Sequence, residues 1–459
     1  MSTPSIRLFG TDGVRGEAGR FPLDAETLYT VGQSLSAHLR EKLNRVPVIV
    51  VGRDTRESGG WLERALIEGA LAAGAECKSA GVITTPGVAF LARTLPADAG
   101  VVISASHNSY QDNGFKIFAP SGKKLDDDTE RLIEADILSQ TNSQKPATGV
   151  RSSAPEEEVR ALQSRYLKFL QDEIAHGLSI KGLTIVVDAA NGAASEHAPQ
   201  LLKQLGADVI AINNKPDGRN INRDCGSLHI DGLQQKVMAT GADIGVAFDG
   251  DADRALFADA RGQFVDGDAT MWALAKYMSD RSQLNDDLVV ATVMSNIGLE
   301  IALRSRGLRL LRTNVGDKYV LEELLRTGAS LGGEQSGHII FPHLSLAGDG
   351  LITTLCLLRA MNEEGKPLSE LTEGFQRYPQ VLVNVAVREK RPFNEVEEIR
   401  KLVEETESQL ENGGRLLLRF SGTEPLARVM IEGKNQEEIE TFARNLAAVI
   451  QQTMGAQQA

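Results

Sequence analysis

Three carboxylates at alternate positions, Asp249, Asp251 and Asp253, stand in the stretch D-G-D-A-D-R just after the apolar run D-I-G-V-A-F at 243–248. Gly250 leaves the backbone free to curl, and three oxygen donors converging at a strand end suit a hard cation such as Mg2+. The spacing is that of a calcium loop, but Arg254 and Ala260 occupy the positions where that loop needs glycine and glutamate. An EF-hand is excluded. Crowding three like charges costs energy unless a cation compensates, so metal binding outweighs a solvated acidic loop. A second apolar run, Val101 to Ile103, breaks into S-A-S-H-N at 104–108. A hydroxyl beside an imidazole at a strand end can be a nucleophile, and Ser104 or Ser106 beside His107 can equally form an ordinary serine-type turn.

Two further stretches carry donors and acceptors. In G-G-E-Q-S-G-H at 332–338, Glu334, Ser336 and His338 can bond adjacent sugar hydroxyls; a tight loop with an incidental histidine has the same look. In R-F-S-G-T-E-P-L-A-R at 419–428, Ser421, Gly422 and Thr423 offer hydroxyls and N–H groups to a phosphate, flanked by Arg419 and Arg428. No G-K-S/T follows, so this is not a Walker loop, and a plain hairpin turn also fits. V-G-D-K-Y at 315–319 offers Lys318 in a similar loop, and Arg15 and Lys116 are single cations with a surface role as the default. Taken together, a serine, a cation site, a hydroxyl reader and a phosphate reader are what phosphoryl transfer on a sugar requires.

These residues need elements to hold them. Apolar runs at 48–52, 101–103, 184–188, 207–212, 243–248, 288–293 and 308–313 read as buried strands. Helical periodicity at 61–73, 126–138, 157–174 and 199–206, and a helix opening after T-T-P at 84–86, alternate with them, which indicates α/β units. G-T-D-G-V-R-G at 10–16, with Asp12 and Arg15, reads as a turn-rich loop. The polar stretch 139–155 is the best boundary. The end of the chain differs: strand 381–387, helix 394–410, strands 415–420 and 428–432, helix 436–451, a small α+β domain.

At 459 residues, 42% hydrophobic and 24% charged, the composition is that of a soluble multidomain protein. The net charge of −13 disfavours nucleic acid and anionic membrane as partners. Three scattered cysteines, no CxxC pair, no leader pattern and no long apolar run make the cytoplasm the expected setting.

In this order the motifs closely resemble the α-D-phosphohexomutase superfamily, and within it the bacterial glucosamine-phosphate subgroup. The resemblance rests on F-G-T-D-G-V-R-G at 9–16, G-R-D-T-R at 52–56, S-A-S-H-N at 104–108, D-N-G-F-K at 112–116 and D-G-D-A-D-R at 249–254. V-G-D-K-Y-V at 315–320, G-G-E-Q-S-G-H at 332–338 and S-G-T-E-P at 421–425 complete it, spanning nearly the whole chain. It implies three similar α/β domains with mixed sheets and a C-terminal α+β domain around a central cleft, with boundaries at 1–155, 156–254, 255–370 and 371–459. It implies Ser106 as the phosphoserine that gives and receives the phosphoryl group. Mg2+ would be held by Asp249, Asp251, Asp253 and a phosphoserine oxygen, with Arg15, Lys116 and His338 supporting transfer. Glu334, Ser336, Arg254 and Lys318 would face the sugar, and Arg419, Ser421, Gly422, Thr423 and Arg428 the phosphate not being transferred. The implied reaction interconverts glucosamine 6-phosphate and glucosamine 1-phosphate through a sugar bisphosphate that reorients between two transfers, feeding UDP-N-acetylglucosamine synthesis; the resemblance allows a homodimer.

The sequence departs from the family pattern at three places: Ser109 where proline is usual, L-A-G-D-G at 346–350 in place of threonines before G-D-G, and Lys318 where arginine is commoner. Rival readings are a phosphomannomutase or phosphoglucomutase, a haloacid-dehalogenase-like phosphatase and a non-catalytic sensor. P-D-G-R-N-I-N at 216–222 favours the glucosamine subgroup. The phosphatase pattern wants threonine or valine where Asp253 stands and gives Ser106 no role, and intact Ser106 with all three aspartates argues against a sensor.

Overall fold

The computed structural model describes residues 7–10, 12–139, 154–421 and 424–456. The chain divides into two compact units: Met1–Thr292 with Thr313–Glu373, and Val293–Arg312 with Gly374–Ala459. The expected boundary stretch 139–155 lies almost wholly outside the described residues.

In the first unit, two five-stranded sheets repeat one design. Strands β1 (Val14–Glu17), β2 (Val48–Arg53), β3 (Glu76–Val82), β4 (Ala99–Ile103) and β5 (Asp112–Phe118) lie in the order β1-β5-β4-β2-β3. β2 is parallel to β3 and β4, whereas β5 is antiparallel to β4 and to β1. Strands β6 (Thr184–Asp188), β7 (Asp208–Ile212), β8 (Ile244–Phe248), β9 (Ala255–Asp259) and β10 (Phe264–Val265) are ordered β10-β9-β8-β6-β7, again parallel inside and antiparallel at the β9 side. A third sheet sets β11 (Leu288–Thr292) parallel to β13 (Leu331–Gly333), which turns antiparallel into β14 (Ile339–Ile340); the strand between them in sequence, β12, is Arg309–Thr313. Helices cover the inner strands, so β4 and β8 are buried along their whole length and read in sequence as unbroken apolar runs.

The repetition decides where chemistry can sit. In each sheet one parallel strand turns back through a short loop into an antiparallel neighbour. The β4–β5 loop carries Ser106, the β8–β9 loop carries Asp249 to Arg254, and the β13–β14 loop carries Glu334 to His338. The sequence shows no repeat by direct reading, yet the corresponding turn of three sheets bears one of the candidate loops each time.

The second unit pairs helix Ile297–Ser305 with the C-terminal segment. There β15 (Gln380–Ala386), β17 (Leu426–Glu432) and β16 (Arg415–Phe420) form an antiparallel sheet in that order, backed by helices Glu397–Leu410 and Gln436–Met454. Ile399, Val429, Ile431, Ile439, Leu446 and Ile450 fill its core. Glu432, fully buried, accepts from Arg415 at 2.8 Å, Asn296 Nδ2 at 3.1 Å and the Ile297 N–H at 3.2 Å. Helix Ile297–Ser305 is thus tied by its first turn to a strand far along the chain.

Two expected loops are regular structure. Residues 14–16, the end of the loop expected at 10–16, belong with Glu17 to β1, whose register comes from pairing with β5 (Arg15 opposite Gly114) and not from any pattern of its own. Lys318 lies in the first turn of helix Asp317–Thr327, which begins after Gly316 at φ 132°. Glycine there hid the helix start.

Candidate active site

Ser106 follows β4 and has φ +50°, a left-handed conformation that a non-glycine residue holds only when its surroundings insist. They do. Arg56, 1% exposed, donates to the carbonyls of Ser106 at 2.9 Å, Asn108 at 3.0 Å and Ser109. Asn222 Nδ2 reaches the first two of these at 2.8 and 2.9 Å. Asp54 holds Arg56 through an ion pair at 2.9 Å and accepts from Ser104 Oγ at 2.6 Å, and Ser104 Oγ in turn accepts the Ser106 N–H at 2.9 Å. Ser104 is therefore occupied in fixing the loop, while the Ser106 hydroxyl points out of it and donates to Asp249 Oδ2 at 2.5 Å. Ser109 is exposed, and its carbonyl serves the Arg56 clamp.

Asp249, Asp251 and Asp253 are buried, and one oxygen from each lies within 4.8 Å of the other two. Among the described residues no other group of three or more histidine, cysteine, aspartate or glutamate side chains converges so closely. Asp251 Oδ1 and Asp253 Oδ1 are buried without a hydrogen-bond partner. Burial, then Asp253 and Asp251, push the Asp249 carboxyl well above its usual range. Burial acts the same way on Asp253, but Lys116 and His338 outweigh it and hold that carboxyl well below the usual range. Orphaned carboxylate oxygens, hard donors and mutual repulsion are what a divalent cation would relieve. Gly250 lets this loop meet the serine loop: a Cβ there would stand 2.5 Å from the Ser106 carbonyl.

Cations surround the carboxylates. Lys116 Nζ, 2% exposed, lies 3.4 Å from Asp251, 3.2 Å from Asp253 and 3.1 Å from Asp12. Burial would discharge it, but Asp12, Asp251 and Asp253 raise its pKa well above the ordinary lysine value. Arg15 pairs with Asp12 and donates to Asn108 Oδ1 at 3.4 Å. Arg254 donates its backbone N–H to Asp249 at 3.2 Å, and its guanidinium lies 3.0 Å from His107 Nδ1. Burial, with Arg254 and Arg15 next, drives the His107 pKa down to about 4. A neutral His107 whose Nδ1 already faces a guanidinium is badly set up as a base for Ser106, although the two are 3.2 Å apart.

The β13–β14 loop adds His338 and Glu334. His338 Nδ1 is 3.6 Å from Asp253, and although burial opposes its charge, Asp253 leads the groups that raise its pKa to about 9. Glu334 accepts the Gly316 N–H at 3.2 Å, and burial raises its pKa. The buried Ser336 Oγ has no partner. Lys318 forms an ion pair with Asp127.

In the second unit Arg419 and Arg428 stand directly opposite each other on β16 and β17. Like charges so placed repel, and after burial the neighbouring Arg428 is what lowers the Arg419 pKa. Arg428 Nη2 is 3.5 Å from Ser421 Oγ, its Nε is buried without a partner, and Lys390 donates to the Ser421 carbonyl at 2.6 Å. Gly422 and Thr423 lie outside the described residues. Sequence reasoning gave no role to Asp12, Asp54, Arg56 and Asn222. The first three lie in the quoted 9–16 and 52–56 motifs and Asn222 closes the quoted 216–222 stretch, which was the available signal; nothing in that stretch shows that Asn222 acts on a carbonyl 116 positions away.

Comparison with known proteins places this arrangement. Models of the phosphoglucomutase/phosphomannomutase alpha/beta/alpha domains I, II and III match residues 6–144, 164–262 and 266–378, and that of the C-terminal domain matches 382–449. The phosphoglucosamine mutase of Solibacter usitatus is 48% identical over 448 residues, 98% of this chain and 99% of its own. The chain belongs to the phosphoglucosamine mutase family. The Acetivibrio thermocellus family member is 47% identical over 451 residues, 98% of this chain and 100% of its own. In fold, this mutase is similar to a phosphoglucomutase/phosphomannomutase family protein from Burkholderia thailandensis (TM-score 0.77, 24% identity, 97% of both chains). It is also similar to Aspergillus fumigatus N-acetylphosphoglucosamine mutase solved with GlcNAc-6P and magnesium (TM-score 0.64, 19% identity, 97% and 96% of the chains). Among the described residues of this family member no helix is long and apolar enough to cross a membrane.

Proposed function

We propose that this mutase interconverts glucosamine 6-phosphate and glucosamine 1-phosphate by way of a phosphorylated Ser106 and a sugar bisphosphate. The observation that carries the reading is the Ser106 hydroxyl, held in a strained backbone and directed at a buried carboxylate cluster. Asp249, Asp251, Asp253 and a phosphoserine oxygen are the groups that would hold Mg2+, the metal named with the Aspergillus structure. Bound there, the metal offsets phosphoserine charge and so lessens its repulsion of an attacking hydroxyl.

The chain's own residues do the rest. In the first transfer the P–O bond to Ser106 breaks, one to the free sugar hydroxyl forms and that hydroxyl's proton ends on the Ser106 oxygen; in the second, after the bisphosphate has turned, the other sugar P–O bond breaks, its phosphoryl group bonds to Ser106 and the Ser106 proton ends on the sugar oxygen. Lys116 and Arg15 flank the moving group with positive charge, and Arg254 and His338 orient the attacking hydroxyl. Glu334, Ser336 and Lys318 read sugar hydroxyls, the unpartnered Ser336 Oγ being a free donor. Arg419, Ser421, Gly422, Thr423 and Arg428 grip the phosphate not in transfer, and the opposed arginines supply a reason for an anion to settle there. A site that reads charge accepts either end of the sugar. We also propose domain boundaries at 1–155, 156–254, 255–370 and 371–459, a cytoplasmic setting and a homodimer.

Intact mass before and after incubation with glucose 1,6-bisphosphate tests the reading. Wild type should gain one phosphate, Ser106→Ala should gain none, and mutase activity should vanish with it. A Ser106→Ala protein of unchanged rate, or phosphate mapped to Asp249, would sink the proposal. Assay on glucosamine, glucose and mannose phosphates should favour the first.

A further inference from the structure

Six charged side chains in the first unit close on themselves with alternating sign. Lys116 Nζ is 3.1 Å from Asp12 Oδ2, and Asp12 Oδ1 is 2.7 Å from Lys124 Nζ. Lys124 Nζ is 2.7 Å from Asp317 Oδ2, which is 3.9 Å from His338 Nε2. His338 Nδ1 is 3.6 Å from Asp253 Oδ2, and Asp253 returns to Lys116 at 3.2 Å. Three cations and three anions alternate around the ring. Four of its members border the proposed transfer site; Lys124 and Asp317 do not, and the reading above gives them no part.

We propose that Lys124 and Asp317 are positioning residues for the mutase reaction, closing a ring of charge that sets Lys116 and His338 about Ser106. The proposal rests on the phosphoserine reading. The members come from separate stretches of chain, Lys116 from β5 and Asp317 from a helix start, so each link ties one segment to another. Lys124 is brought back beside Phe118, at the end of β5, by the turn that follows that strand. Asp317 opens helix Asp317–Thr327 next to Gly316, whose N–H binds Glu334. The Lys124–Asp317 link therefore registers the sugar-facing loop against the first sheet. It also places a carboxylate opposite each nitrogen of His338, Asp253 at Nδ1 and Asp317 at Nε2. Nε2 makes no hydrogen bond, so its N–H stays available while its charge is held. In a partly buried ring, removing one member leaves its two neighbours with unbalanced charge, and they re-pair elsewhere.

The test uses full-length Lys124→Met, Asp317→Asn, the double variant and Lys124→Arg. A misplacement on the order of 1 Å costs on the order of 100-fold in rate, so each single variant should lose about tenfold or more in kcat, with KM within about twofold. The double variant should lose no more than the worse single one, and Lys124→Arg should recover part of the rate. The 15N resonances of the His338 imidazole, assigned with His338→Gln, should move in Lys124→Met, although Lys124 does not touch His338. Unchanged kcat in both single variants, losses that multiply in the double, or unmoved His338 resonances would overturn the proposal. If Ser106→Ala keeps mutase activity, the phosphoserine reading fails separately, and the resonances still judge the ring.

Discussion

The loop that carries Ser106 is held by contacts to its backbone carbonyls, while the Ser106 hydroxyl donates to Asp249 at 2.5 Å. Arg56 spends its donors on three carbonyls of the serine loop and one carboxylate, and it is buried with its partner Asp54. Removing one partner of a buried pair costs about 3–5 kcal/mol, so Arg56→Ala should lose about that much stability in urea unfolding, and serine phosphorylation with it. Arg56→Lys should lose most of the phosphorylation too, because an ammonium cannot fork across three acceptors. The φ of Ser106 makes another demand. Threonine would carry the same hydroxyl, but a β-branched side chain is disfavoured at positive φ, so Ser106→Thr should take up phosphate far more slowly than wild type. The candidate residues stand out in the sequence because Ser106 adjoins His107, the three aspartates alternate within five residues, and their types declare their chemistry. The roles of Arg56 and Asn222 were not legible, although both lie in quoted stretches, because a residue that works by binding backbone carbonyls leaves no mark at the place it supports.

At the scale of elements, the legible parts were those buried on both faces. Apolar β-branched runs such as β2, β4, β6 and β8 announce themselves. β1 and the start of helix Asp317–Thr327 did not, since a four-residue edge strand and a helix opened by glycine draw their form from partners elsewhere. Helix Gly350–Glu364 offers a measurement. Its cap, Asp349, accepts the N–H groups of Leu351 and Ile352 and the Tyr166 hydroxyl at 2.8 Å, and burial pushes its pKa up to about 6. A carboxyl whose folded pKa is raised binds its proton more tightly in the folded state. The native protein therefore gains stability as pH falls through about 6 towards the ordinary value of 3.8, and at neutral pH the buried charge is a cost. Asparagine caps equally well without the charge. Asp349→Asn should be the more stable form at pH 7, by no more than about 3 kcal/mol, with the difference vanishing near pH 4 in paired melting curves.

The whole molecule is not divided where the chain is. Residues 293–312 fold with the segment that begins at Gly374, so the second unit is assembled from two stretches. If 371–459 were a self-contained appendage, a fragment ending at Glu373 would melt as cooperatively as the intact protein. The burial of Ile297, Leu299 and Leu303 and the ties of Asn296 and Ile297 to Glu432 imply otherwise. Fragment 1–373 should bind a hydrophobic dye and lose its sharp transition, whereas the intact chain should do neither. The same arrangement bears on how the protein is made. Glu432 leaves the ribosome 136 residues after Asn296, which at roughly 5–20 residues per second is a delay on the order of 10 s. Throughout that interval the nascent helix has its apolar face uncovered, a natural point for a chaperone to engage a chain in which, as the interval begins, Ser106 and the three aspartates have been synthesised but Glu334 to His338 and the second unit's sheet have not.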